Sequence, residues 1–318
     1  MVLPPIFSLV GRTPLLQLTR LGTLPEGVRV YAKAEFMNPG GSVKDRAAAG
    51  MILDGMQSGH LPVSSALGST TSTGIPTIID ATSGNTGIAL AMIGAAIGVP
   101  VSLVMPENTS PERKAIMRDC DATVIDDVSA AEGSDGAFLA VREIVAKHPA
   151  RYFYPDQYNN PANPRAHELG TGAEIWDQTH GEVTHFVAAM GTSGTFTGSA
   201  RRLKHENPRI RTIAVQPDSP LHGIEGTKHM ASTIRPSILD ESLIDEVKPI
   251  STEASYAMTR QLARREGLFC GVSSGANVAA SLDLAQNLPP GSTVVTVLPD
   301  SGTRYLGDRF WDETEDSH

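Results

Sequence analysis

Cysteine is scarce in this chain of 318 residues, where only Cys120 and Cys270 occur. Their surroundings differ and neither belongs to a metal-ligand spacing, so a disulfide scaffold is excluded and no metal is expected. Unpaired thiols fit a reducing cytoplasm, the expected location. Long basic runs are also lacking. Lys and Arg number 26 against 35 Asp and Glu, a formal net charge of −9. The densest basic cluster, Arg201-Arg202-Leu203-Lys204, reads as a solvated helix face. Gripping a nucleic-acid backbone requires a basic stripe, so nucleic acid is excluded as the main ligand. No apolar run approaches the roughly 20 residues of a membrane span, and no membrane partner is expected. The opening Met1-Val2-Leu3-Pro4-Pro5 has neither a basic region nor a long apolar core, so no signal peptide is expected. There is no internal repeat, and the acidic stretch 312–318 is expected to fray.

What is present is a rhythm. Short apolar runs ending in Gly, Pro, Asp or Ser alternate with longer helical patterns, as in a parallel sheet covered on both faces. The runs predict strands over 28–33, 77–80, 101–105, 123–126, 152–154, 185–189, 211–216 and 293–298. Helices are predicted over 45–58, 87–97, 111–118, 134–147, 171–178, 195–206, 252–266 and 276–286. A chain of this length predicts two domains. Pro155, Asn159, Asn160, Pro161, Asn163 and Pro164 break the periodicity and mark a boundary near 155–164. The stretch Gly68-Ser69-Thr70-Thr71-Ser72-Thr73-Gly74 has almost nothing to bury and reads as a surface insertion outside any site.

Lys44 stands out because Asn38-Pro39-Gly40-Gly41-Ser42-Val43-Lys44-Asp45-Arg46 places one amine just after a glycine turn and just before an alanine-rich helix. A nucleotide P-loop needs the lysine directly after glycine and a hydroxyl after the lysine. Val43 and Asp45 occupy those places, so that reading is rejected. An amine at a helix N-terminus feels like positive potential, which favours its neutral form and assists Schiff-base chemistry.

Three polar loops each follow an apolar run and open a helical stretch: Ala81-Thr82-Ser83-Gly84-Asn85-Thr86-Gly87, Gly191-Thr192-Ser193-Gly194-Thr195 and Gly271-Val272-Ser273-Ser274-Gly275. In open α/β sheets ligands collect at such strand ends. The second loop suits a phosphate dianion, although a glycine and serine cap without a ligand accounts for it equally well in isolation. In the first loop, an amide and hydroxyls with almost no apolar side chain suit a substrate carboxylate. An N-cap in which Asn85 satisfies local backbone is the alternative. In the third loop, Ser273 or Ser274 presents a hydroxyl to a pyridine nitrogen. With Lys44, the loops suggest a lysine-bound, phosphate-bearing cofactor.

These motifs, in this order, resemble the cysteine synthase group of fold-type II pyridoxal-phosphate enzymes, and its B branch most closely. The similarity runs from Gly11-Arg12-Thr13-Pro14-Leu15 to Pro299-Asp300-Ser301-Gly302-Thr303-Arg304-Tyr305-Leu306, nearly the whole chain. It is strongest over 38–46, 81–91, 105–117, 156–167, 174–198 and 264–275. The resemblance implies an α/β fold of two domains, each a mostly parallel twisted sheet flanked by helices, with the active site in the cleft between them. It implies a smaller mobile substrate-binding domain over 35–155 and a larger cofactor-binding domain from 1–34 and 156–318. A homodimer is implied, with serine acetyltransferase or a sulfur-carrier protein as further partners.

By the same resemblance, the cofactor is pyridoxal 5'-phosphate and Lys44 is its Schiff-base lysine. Asn85 would bond the ring hydroxyl, Gly191, Thr192, Ser193, Gly194 and Thr195 the phosphate, and Ser273 the pyridine nitrogen. Thr82, Ser83, Thr86 and Gln157 would take the substrate carboxylate. The implied chemistry is a β-replacement on an activated serine. Lys44 removes the α-proton, the leaving group departs to give an aminoacrylate, and sulfide or another sulfur donor adds to form L-cysteine.

The expected donor is O-acetylserine. Gly223-Ile224-Glu225-Gly226-Thr227-Lys228-His229-Met230 departs from the usual pattern for that donor, and Lys228 falls where O-phosphoserine sulfhydrylases carry an arginine. Lys228 paired with a donor phosphate is one reading, and a solvated lysine on a mobile loop is the other. Cystathionine β-synthase is a further enzymatic alternative. A catalytically idle member that binds a partner's C-terminal peptide is the non-enzymatic one.

Overall fold

Every apolar run predicted as a strand is one in the computed structural model, which describes residues 3–62, 75–82 and 84–312. The 68–74 insertion, Ser83 and the tail beyond Asp312 lie outside the described residues. The strands are β1 (Leu15–Gln17), β2 (Arg29–Ala34), β3 (Thr77–Ala81), β4 (Val101–Pro106), β5 (Thr123–Val128), β6 (Tyr152–Phe153), β7 (His185–Ala189), β8 (Arg211–Pro217), β9 (Glu246–Ile250) and β10 (Thr293–Leu298). The α-helices are α1 (Ile6–Leu9), α2 (Lys44–Gln57), α3 (Asn85–Ile97), α4 (Pro111–Asp119), α5 (Gly133–Lys147), α6 (Ala162–His167), α7 (Ala173–Gln178), α8 (Gly194–Glu206), α9 (Thr252–Gln261) and α10 (Val272–Ala285).

Two strands have no signal in the apolar pattern, and both are sheet edges. β1 is three residues long, and β9 reads Glu246-Val247-Lys248-Pro249-Ile250. Charges and proline are tolerated there because one side of an edge strand needs no ladder partner. Helix α10 begins at Val272, so Ser273 and Ser274 belong to its first turn instead of a preceding loop.

The chain divides into two compact units. The first is Met1–Val10 with Lys44–Ala166, and the second is Gly11–Val43 with His167–His318. These bounds differ from 35–155, for physical reasons. Residues 35–43 are held by second-unit groups: Gly11 N–H donates to Asn38 Oδ1 (2.8 Å) and Val43 N–H to the Pro299 carbonyl (2.7 Å). Ile6, Phe7 and Val10 pack on the first unit's core.

In the first unit the sheet order is β5-β4-β3-β6, all parallel. Period-two alternation sends Ile78, Val101 and Leu103 to one face under α2 and α3. Ile79, Ala81 and Val104 go to the other, under Phe138 and Val141 of α5. In the second unit the order is β1-β2-β10-β7-β8-β9, parallel apart from β1. Val294 and Val187 face Val272, Ala276 and Ala280 of α10, while Val295, Val297 and Phe186 face Phe196, Ala200 and Leu203 of α8. All six residues of β10 are buried, as expected for a parallel strand covered on both sides. The second unit also buries a charge: Lys33 on β2 is fully enclosed, with its ammonium 2.7 Å from Glu174 and 2.9 Å from Gln178 Oε1.

Each sheet has one place where the winding reverses. In the first unit it lies between β3 and β6, since β4 and β5 extend to one side of β3 and β6 is added on the other. In the second it lies between β7 and β10. Loops leaving the carboxyl ends of strands at such points diverge and leave room for a ligand. The segments after β3 and β6 contain Thr82, Asn85, Thr86 and Gln157. The segment after β7 is 190–195.

Candidate active site

Lys44 is the first residue of α2, a helix of 14 residues. The turn that delivers it is tightly held. Gly41 N–H donates to the Asn38 carbonyl (2.8 Å), Arg304 donates to the Gly40 carbonyl, and Ser42 bridges Asp300 in a short antiparallel contact. Gly41 has φ 75°, and a Cβ there would meet the Arg304 guanidinium at 3.0 Å, so the turn requires glycine. The sequence-level reading of a lysine placed by a glycine turn at a helix start is what the backbone shows.

At the β3/β6 reversal, one polar cluster contains three of the four residues expected to take a carboxylate. Thr82 is buried, and its Oγ1 accepts from the backbone N–H groups of Gly84 and Gly87, both at 3.0 Å. The hydroxyl hydrogen of Thr82 remains to donate. Gln157 is also buried, with Nε2 donating to the Ala81 carbonyl (2.6 Å) and Oε1 accepting from the Thr86 hydroxyl (2.7 Å). A carbonyl only accepts, so this contact fixes which end of the Gln157 amide is which. One Nε2 hydrogen is left over. The backbone carbonyl of Gln157 accepts from Asn163 Nδ2 (2.8 Å). Asn85 opens α3 and is half-buried, and the Thr82 hydroxyl oxygen caps free backbone N–H groups here. Ser83 lies outside the described residues.

At the β7/β10 reversal, Met190 is pinned on both sides. Its N–H donates to the Val215 carbonyl (2.9 Å), and its carbonyl accepts from Lys228 N–H (2.8 Å). A Cβ on Gly191 would lie 2.1 Å from the Gly226 carbonyl oxygen, so only glycine fits. Thr192 and Ser193 are buried. Ser193 adopts the left-handed conformation (φ 70°, ψ 0°) and precedes α8, a helix of 13 residues. Its Oγ is buried with no hydrogen-bond partner among the described residues. A non-glycine residue in that region costs on the order of 1 kcal/mol, and a buried hydroxyl without a partner costs about 1–3 kcal/mol. Together with the first N–H groups of α8, which a helix leaves without intrahelical partners, these features fit an oxyanion such as a phosphate.

Thr195 adds a contact with no warning in the sequence. Its Oγ1 lies 3.3 Å from His167 Nε2, and His167 Nδ1 is 2.9 Å from Thr171 Oγ1. His167 is buried, and residues 168–172 form a wide π turn that separates α6 from α7. No local motif marks a histidine whose partner lies 28 residues away.

Ser273 is buried in the first turn of α10. Lys228 is also buried, which overturns the reading of a solvated lysine on a mobile loop: its backbone is tied to Met190, beside Gly191. Both cysteines are free. Burial, reinforced by Asp300, pushes the Cys270 thiol far up, and burial with Asp119 and Asp121 raises Cys120, so both are poor nucleophiles. Among the described residues no group of His, Cys, Asp and Glu could hold a metal ion, and no helix is long and apolar enough to cross a membrane.

Comparison with known proteins identifies the family to which the chain belongs. Residues 6–300 match the family described as pyridoxal-phosphate dependent enzyme. A cysteine synthase of Aquifex aeolicus is 49% identical over 306 residues, spanning 95% of this chain and 90% of the relative. Cysteine synthase B of Escherichia coli is 41% identical over 304 residues, spanning 96% and 95%. The crystal structure of an O-acetylserine dependent cystathionine beta-synthase from Helicobacter pylori is 38% identical, with a TM-score of 0.85 over 97% of this chain and 98% of that one.

Proposed function

Because the chain belongs to the pyridoxal-phosphate dependent enzymes, we propose that it is a cysteine synthase that exchanges the acetate of O-acetylserine for sulfide. The observation that carries the assignment of the phosphate is Ser193, a buried, left-handed residue at the start of α8 whose hydroxyl has no hydrogen-bond partner among the described residues. Thr192, Ser193, Thr195 and the backbone of residues 191–195 would hold the phosphate. Lys44 would hold the cofactor covalently through Nζ, Asn85 would bond its ring hydroxyl, and Ser273 would face its ring nitrogen. A hydroxyl at that nitrogen does not keep it protonated, which favours prompt elimination.

When bound, the cofactor supplies an electron sink for negative charge at the donor's α-carbon. The remaining work falls to side chains of this protein. The hydroxyl of Thr82, the spare Nε2 hydrogen of Gln157 and the N–H groups opening α3 fix the donor's carboxylate, with Ser83 and Thr86 completing the set. Held there, the donor, whose amine would displace Nζ of Lys44 from the cofactor, would present its α-hydrogen to that freed amine, which would take the proton. Lys44 opens α2, just after the glycine turn that fixes its backbone. Acetate leaves without needing a cation, and sulfide then bonds to the β-carbon while Lys44 returns the proton to the α-carbon.

The same reading makes the enzyme a cytoplasmic homodimer, open to serine acetyltransferase or a sulfur-carrier protein as partners. A second reading, cystathionine formation, is favoured by the likeness to the O-acetylserine dependent Helicobacter enzyme. It keeps the donor and changes the nucleophile to a thiol. The deciding experiment incubates the pyridoxal-phosphate-loaded protein with O-acetylserine and either sulfide or homocysteine, with O-phosphoserine as a parallel donor. Cysteine from O-acetylserine and sulfide is expected, and Lys44→Ala should abolish both turnover and the visible band of the lysine-bound cofactor. Faster cystathionine formation would establish the second reading. Preference for O-phosphoserine would bring Lys228 forward as a donor contact.

A further inference from the structure

Asp80 is a fully buried carboxyl at the carboxyl end of β3, and the chemistry derived above does not use it. Its Oδ1 accepts from the N–H of Ala81 (2.8 Å), which favours its ionised form, while its Oδ2 is buried with no hydrogen-bond partner among the described residues. The groups facing it are Asp156, Tyr154 and Tyr158, none of them a cation. Burial first, and then Asp156, raise its pKa well above the usual carboxylate range. A carboxyl placed there without a cation is costly, and an apolar residue would serve the sheet interior better. What it does provide is an acceptor for the Ala81 backbone amide at the β3/β6 reversal.

That amide belongs to Ala81, the residue that also receives Gln157 of the carboxylate cluster. The Ala81 peptide gives its N–H to Asp80 and its carbonyl to Gln157 Nε2. Gln157 is held at three points: its carbonyl by Asn163, its Nε2 by Ala81 and its Oε1 by Thr86. Asp156, just before it, is a left-handed non-glycine residue (φ 51°), a backbone state that persists only where its surroundings hold it. We propose that Asp80 is a positioning residue for recognition of the donor's carboxylate, acting through the backbone of Ala81 to aim the spare Nε2 hydrogen of Gln157. The inference rests on the assignment of Thr82, Thr86 and Gln157 to that carboxylate.

The test titrates the cofactor-loaded protein with L-serine and with ethanolamine, which has the same amine and hydroxyl but no carboxylate. Binding is read from the cofactor's visible band, and folding is checked by circular dichroism. In Asp80→Ala the apparent Kd for serine should rise about tenfold, the effect of one lost hydrogen bond, while that for ethanolamine stays within about twofold. Asp80→Asn keeps one acceptor and should lose about threefold for serine alone; it carries the test if the alanine variant does not fold. Equal changes for both ligands, or none for either, would overturn the role of Asp80. A wild-type protein that does not distinguish serine from ethanolamine would instead refute the carboxylate assignment on which the role depends.

Discussion

The hydroxyl of Thr86 donates to Oε1 of Gln157 across 2.7 Å, although 71 residues separate them in the chain. The bond commits the proton of Thr86 to Gln157, so a carboxylate arriving beside Thr86 must draw that proton away or rely on the spare hydrogens of Gln157 and Thr82.

Thr86→Val retains the shape and removes the hydroxyl, leaving Gln157 Oε1 buried without its donor. The KM for O-acetylserine should rise about ten- to a hundredfold, with the KM for sulfide and the visible cofactor band little changed. Steady-state kinetics with each substrate varied in turn provides the check. An equal rise in both constants would show that Thr86 shapes the unit generally and does not read the donor.

Ser193 should trade stability against cofactor retention. Ser193→Gly relieves the left-handed backbone, so the cofactor-free protein should be as stable as wild type or up to about 1 kcal/mol more stable. The hydroxyl that fits the phosphate is lost, and pyridoxal phosphate should be held about tenfold more weakly. Thermal unfolding of the apoprotein and equilibrium dialysis of the cofactor measure the two effects. Retention equal to wild type would place the phosphate elsewhere.

Glu174 should matter to stability and not to chemistry. Glu174→Ala leaves the ammonium of Lys33 enclosed on β2 with its ion-pair partner gone, a change that typically costs about 3 kcal/mol. Glu174 Oε1 also accepts from Arg12 N–H (3.0 Å), so the Gly11–Pro14 segment loosens with it. Glu174→Gln, which keeps an acceptor, should lose less. Urea unfolding followed by circular dichroism tests both variants, and kcat in the surviving folded fraction should stay close to wild type.

Much of this protein is determined by sequence alone. Parallel strands buried on both faces must be continuous apolar runs, so β3, β4, β7, β8 and β10 are legible, and glycine turns before helices expose Lys44 and the 191–195 loop. The edges β1 and β9 carry no such signal because one side of each needs no partner and charge or proline is tolerated. The first turn of α10 reads as a loop because serine and glycine are poor helix formers, yet burial against the sheet holds Val272–Gly275 in the helix. Other features were decided only by the tertiary structure. That Thr86 meets Gln157, that His167 meets Thr195, that Lys228 is buried and that Gln157 reaches the Ala81 carbonyl all depend on the winding order of the two sheets. A hydrogen bond needs two groups within about 3 Å. Local residue patterns specify each group, but only the order in which strands are laid beside one another brings distant groups into reach.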